Sequence, residues 1–487
     1  MAMRLVVWLL GVAVAARGQG DDEGTAEIWG LAKGRAAERA QRARRYVEEA
    51  KSAQTSDPTL ALERGQAAKQ LLGKGRPKVR EGQPPSKRAL LWARAHVEIG
   101  AASRTMIRHA EAAAAYGEAL RVLEAAPRGT KDEDGRPLEM EIIATKMERG
   151  WALSKARRHA EAIAESAALR AFAPPGEGDR RHFETTVLLE ESRLFWCAGR
   201  EAEAVSALEG GLGLRGGGLG PAAGSGVGVL DAGWSPDPET AQQTAAKLND
   251  LLQLYRWAGR EKEAQATANA AARLGGWPSS RQRPTNVHIR ALSGASGNRP
   301  WPEASAFPSV AGFMQALEAR TAALRAEYAA LQADGRLEPQ TECLHDPRGG
   351  EWLYFPSLGD GSAGGMHDPS APSCSQHSPE ACALAQLAAA HGVEVLRLGY
   401  STLEPEGWIR PHVGHTNAQL KIHLGLVVPG EGCSTFAIDG DERGWEEGKA
   451  ILFDDSFEHE VHNRCGTSRA VLQVVIRHPS LQHDREL

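Results

Sequence analysis

Trp408-Ile409-Arg410-Pro411-His412-Val413-Gly414-His415-Thr416-Asn417 and Phe453-Asp454-Asp455-Ser456-Phe457-Glu458-His459-Glu460-Val461 decide how the last third of this chain reads. Each sets a histidine among short β-branched or alternating runs broken by Gly, Pro, Asn and Asp. The neighbouring runs Val393–Tyr400, Leu420–Val428, Ser434–Ile438, Ala450–Phe453 and Ala470–Ile476 have the same texture, so the region after about Gly392 reads as an antiparallel sandwich or jelly roll. It holds His412, His415, His423, His459, His462 and His478. Taken singly, a histidine is ordinarily a solvated or hydrogen-bonded residue. His412, His459 47 residues on (459 − 412) and Arg469 ten residues later (469 − 459) together suit a metal in the mouth of a jelly roll. The arginine fork pairs bidentately with the far carboxylate of a dicarboxylic cosubstrate.

Upstream, from about Thr25 to Leu274, the chain is rich in Ala, Arg, Glu and Leu with a 3.6-residue apolar period. Arg108-His109-Ala110-Glu111-Ala112 is echoed by Arg158-His159-Ala160-Glu161-Ala162, Arg200-Glu201-Ala202-Glu203-Ala204 and Arg260-Glu261-Lys262-Glu263-Ala264. Each follows an apolar or aromatic helix (Trp92–Gly100, Met147–Ser154, Leu194–Gly199, Leu251–Gly259) and opens an Ala-rich one. The pattern resembles tetratricopeptide repeats, whose small residues let paired helices approach closely, although spacings of 50, 42 and 60 residues are irregular. A plain irregular helical domain is the alternative. Gly-rich 210–238 reads as a loop inserted between helices, and Gly275–Pro300 as the domain boundary. Phe313–Leu331 reads as one amphipathic helix.

At the N-terminus a short basic segment, Met1–Arg4, precedes the apolar run Leu5–Ala16 with Ala13-Val14-Ala15 as a small-x-small cleavage pattern. Residues 1–20 read as a secretory signal peptide, the run being too short for a span that needs roughly 20 apolar residues. No later stretch reads as a transmembrane span of the mature chain. Six cysteines suit a disulfide-permissive compartment, and the terminal Asp484-Arg485-Glu486-Leu487 loosely resembles an endoplasmic-reticulum retrieval tail. A net charge of −5 and a pI near 6.4 supply no broad basic field, so nucleic-acid binding has no support.

The run Ser401–Pro479 resembles the catalytic domain of the aspartyl/asparaginyl β-hydroxylase family. The resemblance is carried by Pro411-His412-x-Gly414-x-Thr416-Asn417, His423-Leu424-Gly425-Leu426-Val427, Glu431-Gly432-Cys433, Trp445-Glu446-Glu447-Gly448-Lys449, the 453–461 segment and His478-Pro479. Looser similarity reaches back through Pro300-Trp301 and Arg281-Gln282-Arg283-Pro284 to about Gly276. It implies a multidomain α + β protein: helical tetratricopeptide-like repeats over 21–275, then a double-stranded β-helix (jelly-roll) oxygenase domain over 276–487. It also implies a dioxygenase using Fe(II), 2-oxoglutarate and O2. Such an enzyme hydroxylates the β-carbon of Asp or Asn in secretory-pathway polypeptides, epidermal-growth-factor-like domains among them, and releases succinate and CO2. The expected compartment is the endoplasmic-reticulum lumen, with secretion as the alternative.

Carried over by position, His412 and His459 are the iron ligands, while Ser401 and Arg469 hold the distal carboxylate of 2-oxoglutarate. His423 contacts the cosubstrate near the metal, Trp352 is a pocket tryptophan, and Cys374 with Cys382 resembles a local disulfide. Gly414 stands where most related iron sites carry a ligating carboxylate, an absence this family shares. Asp455 is then either an acceptor that orders a metal-bound water or a solvated acid at a strand end. Lys421 stands where the family usually has Arg, which keeps the charge but loses the planar fork. His415 and His462 are read as non-ligands, Lys449 and Glu458 as surface or scaffold residues. Two other readings stay open: the same chemistry on a lipid or another side chain, and a catalytically inactive repeat scaffold.

Overall fold

The computed structural model describes residues 35–481 except 55–56, 74–76, 78–81, 107, 174–176, 212–237, 274–276, 285–288, 290–291, 293–298, 341, 359–375 and 431. The expected signal peptide, nearly all of the Gly-rich insertion, the terminal tetrapeptide and Cys374 therefore lie outside the described residues. Among those described, no helix is long and apolar enough to cross a membrane. The chain divides into two compact units, Met1–Leu194 and Phe195–Leu487.

The first unit is helical: α1 (Arg35–Ala53), α2 (Pro58–Leu71), α3 (Lys87–Thr105), α4 (His109–Leu123), α5 (Leu138–Lys155), α6 (His159–Leu169) and most of α7 (Glu177–Cys197). From α1 to α6 each helix packs mainly on its neighbour in sequence, as expected of a linear helical array. Asp57 and Ser86 cap α2 and α3 by accepting from the N–H groups of Leu60 and Ala89. Gly100 lets α3 and α4 close up, since a Cβ there would lie 2.7 Å from the Tyr116 ring.

The four echoed pentapeptides share one turn. Arg108, Arg158, Arg200 and Arg260 each donate a backbone N–H to the carbonyl five residues earlier (Ser103, Leu153, Phe195 and Tyr255) and then open a helix. Where the preceding residue is described, the chain goes left-handed just before it: φ is 63° at Arg157, 67° at Gly199 and 71° at Gly259. Each arginine then pairs with the glutamate three residues on: Glu111, Glu161, Glu203 and Glu263. The repeated letters are therefore a repeated helix–turn–helix joint.

The second unit begins with α8 (Glu201–Gly211), α9 (Pro238–Trp257) and α10 (Glu261–Arg273), which sequence alone groups with the helices before them. Then come α11 (Pro308–Glu318) and α12 (Thr321–Ala333), where a single helix was expected. The break coincides with one tertiary and one local contact. Glu318 turns its carboxylate to the N–H of Ala450, and Thr321 Oγ1 donates back to the Glu318 carbonyl. After β1 (Glu338–Pro339), β2 (Trp352–Leu358) and α13 (Pro379–Ala390), eight strands complete the chain: β3 (Val395–Leu403), β4 (Gly407–His412), β5 (Gln419–Val427), β6 (Ser434–Ile438), β7 (Asp441–Gly444), β8 (Ala450–Phe453), β9 (His459–Asn463) and β10 (Arg469–Arg477).

The strands form two antiparallel sheets, ordered β1-β2-β3-β10-β5-β8 and β4-β9-β6-β7. Side chains alternate faces along each strand. On β3, β5, β8 and β10, Leu398, Tyr400, Ile422, Leu452 and Leu472 turn toward a core shared with α11–α13. The odd-numbered partners Leu403, Phe453 and Val471 turn inward to meet Ile409, Phe436, Ile438 and Val461 of the smaller sheet.

Disulfides Cys197–Cys343 and Cys433–Cys465 were not anticipated from sequence; Cys382 is also disulfide-bonded, but its expected partner lies outside the described residues. Closing a loop with a separation of 146 residues restricts the unfolded chain, worth up to about 5 kcal/mol in chain-entropy terms. Replacing Cys197 and Cys343 together by Ser is expected to lower the unfolding midpoint in non-reducing denaturation, and added reductant then to have a smaller further effect than on the parent.

Candidate active site

His412 would point away from the interior if β4 were regular. Ile409 faces inward opposite Val461, so a residue three further on belongs to the other face. A bulge between Ile409 and His412 supplies the extra residue, and His412 comes into register opposite His459. The two rings lie 4.1 Å apart between centroids, inclined at 49°. Pro411, which has no N–H to lose, sits within the irregular stretch.

Both rings are oriented in the same way. His412 Nδ1 is 2.8 Å from the Arg410 carbonyl and His459 Nδ1 is 2.9 Å from the Phe457 carbonyl. A carbonyl only accepts, so Nδ1 carries the proton in each ring and Nε2 keeps its lone pair. Burial, and for His412 the facing His459, hold the imidazoles neutral by pushing their pKa values down to about 3 and about 4. Neutral imidazoles with a free Nε2 are what a divalent transition metal needs.

Ser401, Lys421, His423 and Arg469 stand at odd positions on β3, β5 and β10, on the interior face. Arg469 is fully buried, its Nε, Nη1 and Nη2 have no hydrogen-bond partner, and its guanidinium lies 4.6 Å from the Trp445 ring centroid. Burial lowers its pKa to about 10, so it stays charged at neutral pH. An unpaired buried charge costs several kcal/mol, which makes this a socket for an anion. On the neighbouring strand β3, Ser401 accepts a 3.0 Å hydrogen bond from Trp352 Nε1, which brings Trp352 into the same pocket. His423, held neutral by burial and by Arg469, packs among Phe436, Trp445 and Phe453.

Asp455 is buried rather than solvated, and its carboxylate pairs with the Lys421 ammonium at 2.8 Å. Burial alone would raise its pKa; Lys421 and His459 outweigh that and keep it below the ordinary carboxylate range. A Cβ on Gly414 would come within 2.4–2.7 Å of the Asp455 carboxyl group. The space of the missing side chain is thus taken by an acid from another strand connection. Among the described residues no group of three or more His, Cys, Asp or Glu is placed to hold a metal; His412 and His459 are the two imidazoles this interior brings together.

The remaining expected residues lie elsewhere. His415 is exposed, and His462 stacks on Trp408 and bonds to Glu460. Lys449 is on the surface near Glu318, and Glu458 pairs with Arg256 and Arg283. Sequence reasoning did not single out Trp445, Trp301 or Phe436 as site residues, although interior aromatics at alternate strand positions were a usable signal. Nor did it assign a task to Arg281-Gln282-Arg283-Pro284. That segment bridges to Phe457, with Gln282 donating to Asp454 and Ser456 under the His459 loop.

Acid should destabilise the fold around this site once metal is stripped from the protein. The folded values for His412 and His459 lie below the unfolded value near 6.5, so acidification charges the unfolded chain first. Stability present above about pH 6.5 is lost as pH falls toward 4. Asp454, raised by burial to about 7, acts in the opposite direction but is a single group, whereas His478, also lowered to about 4, adds to the loss. Urea unfolding of metal-stripped protein is expected to show a net loss from pH 6.5 to 4, shallower in the His412→Asn/His459→Asn variant. Gly414→Ala is expected to lower the unfolding midpoint by displacing Asp455.

Comparison with known proteins bears on residues at and around this site. Residues 318–479 match the model of the family described as aspartyl/asparaginyl β-hydroxylase. Aspartyl/asparaginyl β-hydroxylase of Mus musculus is 34% identical over 151 residues, which is 31% of this chain and 19% of that protein. Its Homo sapiens counterpart is 33% identical over the same length and coverage. Ornithine lipid ester-linked acyl 2-hydroxylase of Rhizobium tropici is 43% identical over 77 residues, 15% of this chain and 27% of that one. The chain thus spans about a fifth of the length of the mouse and human relatives. Residues 318–479 are thus similar to the aspartyl/asparaginyl β-hydroxylase family over about a third of the chain.

Proposed function

We propose that the chain is a 2-oxoglutarate- and Fe(II)-dependent dioxygenase hydroxylating the β-carbon of Asp or Asn in secretory-pathway polypeptides. One observation carries this reading: an unpartnered buried guanidinium, Arg469, in the same interior as two neutral imidazoles with free Nε2 atoms. The socket suits a carboxylate and the pair suits a metal, so the residues fit both groups. Apart from the β6–β7 hairpin, strands β3–β10 alternate between the two sheets, an order that supports reading them as a double-stranded β-helix. The repeated helix–turn–helix joints support a tetratricopeptide-like array.

In this reading His412 and His459 hold the iron, while Arg469 and Ser401 bind the distal carboxylate of 2-oxoglutarate. Trp352 orients the Ser401 hydroxyl, and His423 stands beside the cosubstrate. Iron(II), when bound with 2-oxoglutarate and O2, supplies C–H hydroxylation coupled to decarboxylation to succinate and CO2. Asp455 keeps one oxygen, Oδ1, free of hydrogen-bond partners and can accept from a water. Lys421 fixes that carboxylate, a task an Arg fork there would share with the cosubstrate. The aromatic interior around Trp445, Phe436 and Phe453 keeps water away. Cys197–Cys343 and Cys433–Cys465 support an oxidising compartment, with the signal-like N-terminus pointing to the secretory route. Epidermal-growth-factor-like domains are the first substrates to try.

The test is succinate release, with mass spectrometry for one added oxygen, from purified protein given Fe(II), 2-oxoglutarate, ascorbate and Asp- or Asn-containing peptides. Turnover is expected with peptide, a loss of at least 100-fold in His459→Ala, and a KM for 2-oxoglutarate raised more than tenfold in Arg469→Met. Lys421→Arg should retain turnover and Lys421→Met lose it. Full turnover in His459→Ala would overturn the ligand assignment. The similarity to a lipid acyl hydroxylase favours a second reading, supported instead if acyl lipids and not peptides gain oxygen.

A further inference from the structure

Two metal-binding histidines without a third protein ligand need their spacing set by something else. The bulge that turns His412 inward and the loop that presents His459 both lead to the last turn of α9. Trp257 Nε1 donates to the Pro411 carbonyl at 3.3 Å, one residue before His412. The indole ring of Trp257 also lies under the Arg410 guanidinium, 4.4 Å from carbon to ring centroid. That guanidinium is 1% exposed and donates to Glu201 of α8 at 3.0 Å, with Asp346 at 3.3 Å. The Arg410 carbonyl is the acceptor that orients the His412 ring.

The neighbouring residue of α9 reaches the other ligand. Arg256 pairs with Glu458, the residue before His459. Arg283 completes the grip: its Nη2 pairs with the same carboxylate, and its Nε donates to Asn249, two turns back on α9, at 3.2 Å. Adjacent side chains of one helix therefore hold the residues that immediately precede both histidines. This helix lies outside the stretch 318–479 that matches the hydroxylase family.

We propose that Arg256 and Trp257 are positioning residues that clamp the bulge in β4 and the loop before β9, and so set the separation and orientation of His412 and His459 for metal. The proposal rests on the reading of that pair as the metal ligands. A rigid helix terminus replaces the restraint that a third ligand would supply. Loss of partners that orient metal ligands typically weakens metal binding about 10- to 100-fold.

The experiment is titration of the metal-stripped full chain with Co(II) alone, read as affinity and as the visible absorption spectrum, beside thermal unfolding of each variant. Trp257→Leu and Arg256→Gln are expected to fold and to bind Co(II) at least tenfold more weakly with an altered spectrum. Trp257→Phe keeps the ring under Arg410 but loses the donor, and should fall between. Arg256→Lys should recover most of the affinity. Arg260→Gln, which removes the pairing with Glu209 at the start of α10 and touches neither ligand segment, should bind Co(II) as the parent does. If Trp257→Leu does not fold, Trp257→Phe and Arg256→Gln carry the test. Parent-like affinity and spectrum in the folded variants at both positions would overturn the clamp. A parent chain that binds no Co(II), or binds it equally well as His412→Asn/His459→Asn, would instead overturn the ligand reading itself.

Discussion

A β-strand presents its side chains alternately to two faces, and His412 has the wrong parity for the interior. One extra residue in β4 corrects it, and the geometry of the site follows from that bulge. It brings the two imidazoles together, inclined at 49°, and it leaves the Arg410 carbonyl to accept from Nδ1–H so that Nε2 keeps its lone pair. Arg410, next to the inward Ile409, points outward by ordinary alternation, where Glu201, Asp346 and Trp257 bury it. A bulge costs ladder hydrogen bonds, and here the loss is offset by helices α8 and α9 packing on its outer side. Helices that look like the tail of a repeat array are thereby part of the domain that holds the chemistry.

Charge inside the two-sheet interior is arranged with equal economy. Its basic groups are handled in three ways. The imidazoles are kept neutral by burial, Lys421 is neutralised by Asp455, and Arg469 alone keeps its charge and its donors uncommitted. A pocket prepared in this way suits a carboxylate at one end and, in the proposed reading, a metal at the other. The Asp455 carboxylate occupies the volume that a side chain at 414 would fill, so Gly414 is a steric requirement of this arrangement. That gives the missing third ligand a structural reason: the space is already used.

Much of this was legible in the sequence, because it rests on local rules. Period-two runs marked β3, β5, β6, β8 and β10, and the echoed Arg-x-x-Glu joints marked four helix starts by their turn and their ion pair. Residues His412, His459, Arg469, Ser401, Lys421 and His423 were picked out by motif, and the tertiary structure brings them into one interior. The strands β2, β4, β7 and β9 were not picked out, since they are short, polar or interrupted by Pro. The single helix expected over 313–331 is two, the break coinciding with the capture of Glu318 by a strand N–H.

The sequence by itself determined the types of element, the side chains able to bind a metal and a carboxylate, and their order along the chain. Each of these depends on residue identity and on neighbours within a few positions. Only the tertiary structure decided that His412 faces inward, that Asp455 lies buried against Lys421 in the space of Gly414, and that Arg256 and Trp257 stand behind the two histidines. Those facts depend on strand register and on contacts between residues far apart in sequence: 154 from Trp257 to Pro411 and 209 from Glu201 to Arg410. Register is set by the packing of whole faces, and no local pattern encodes a one-residue slip.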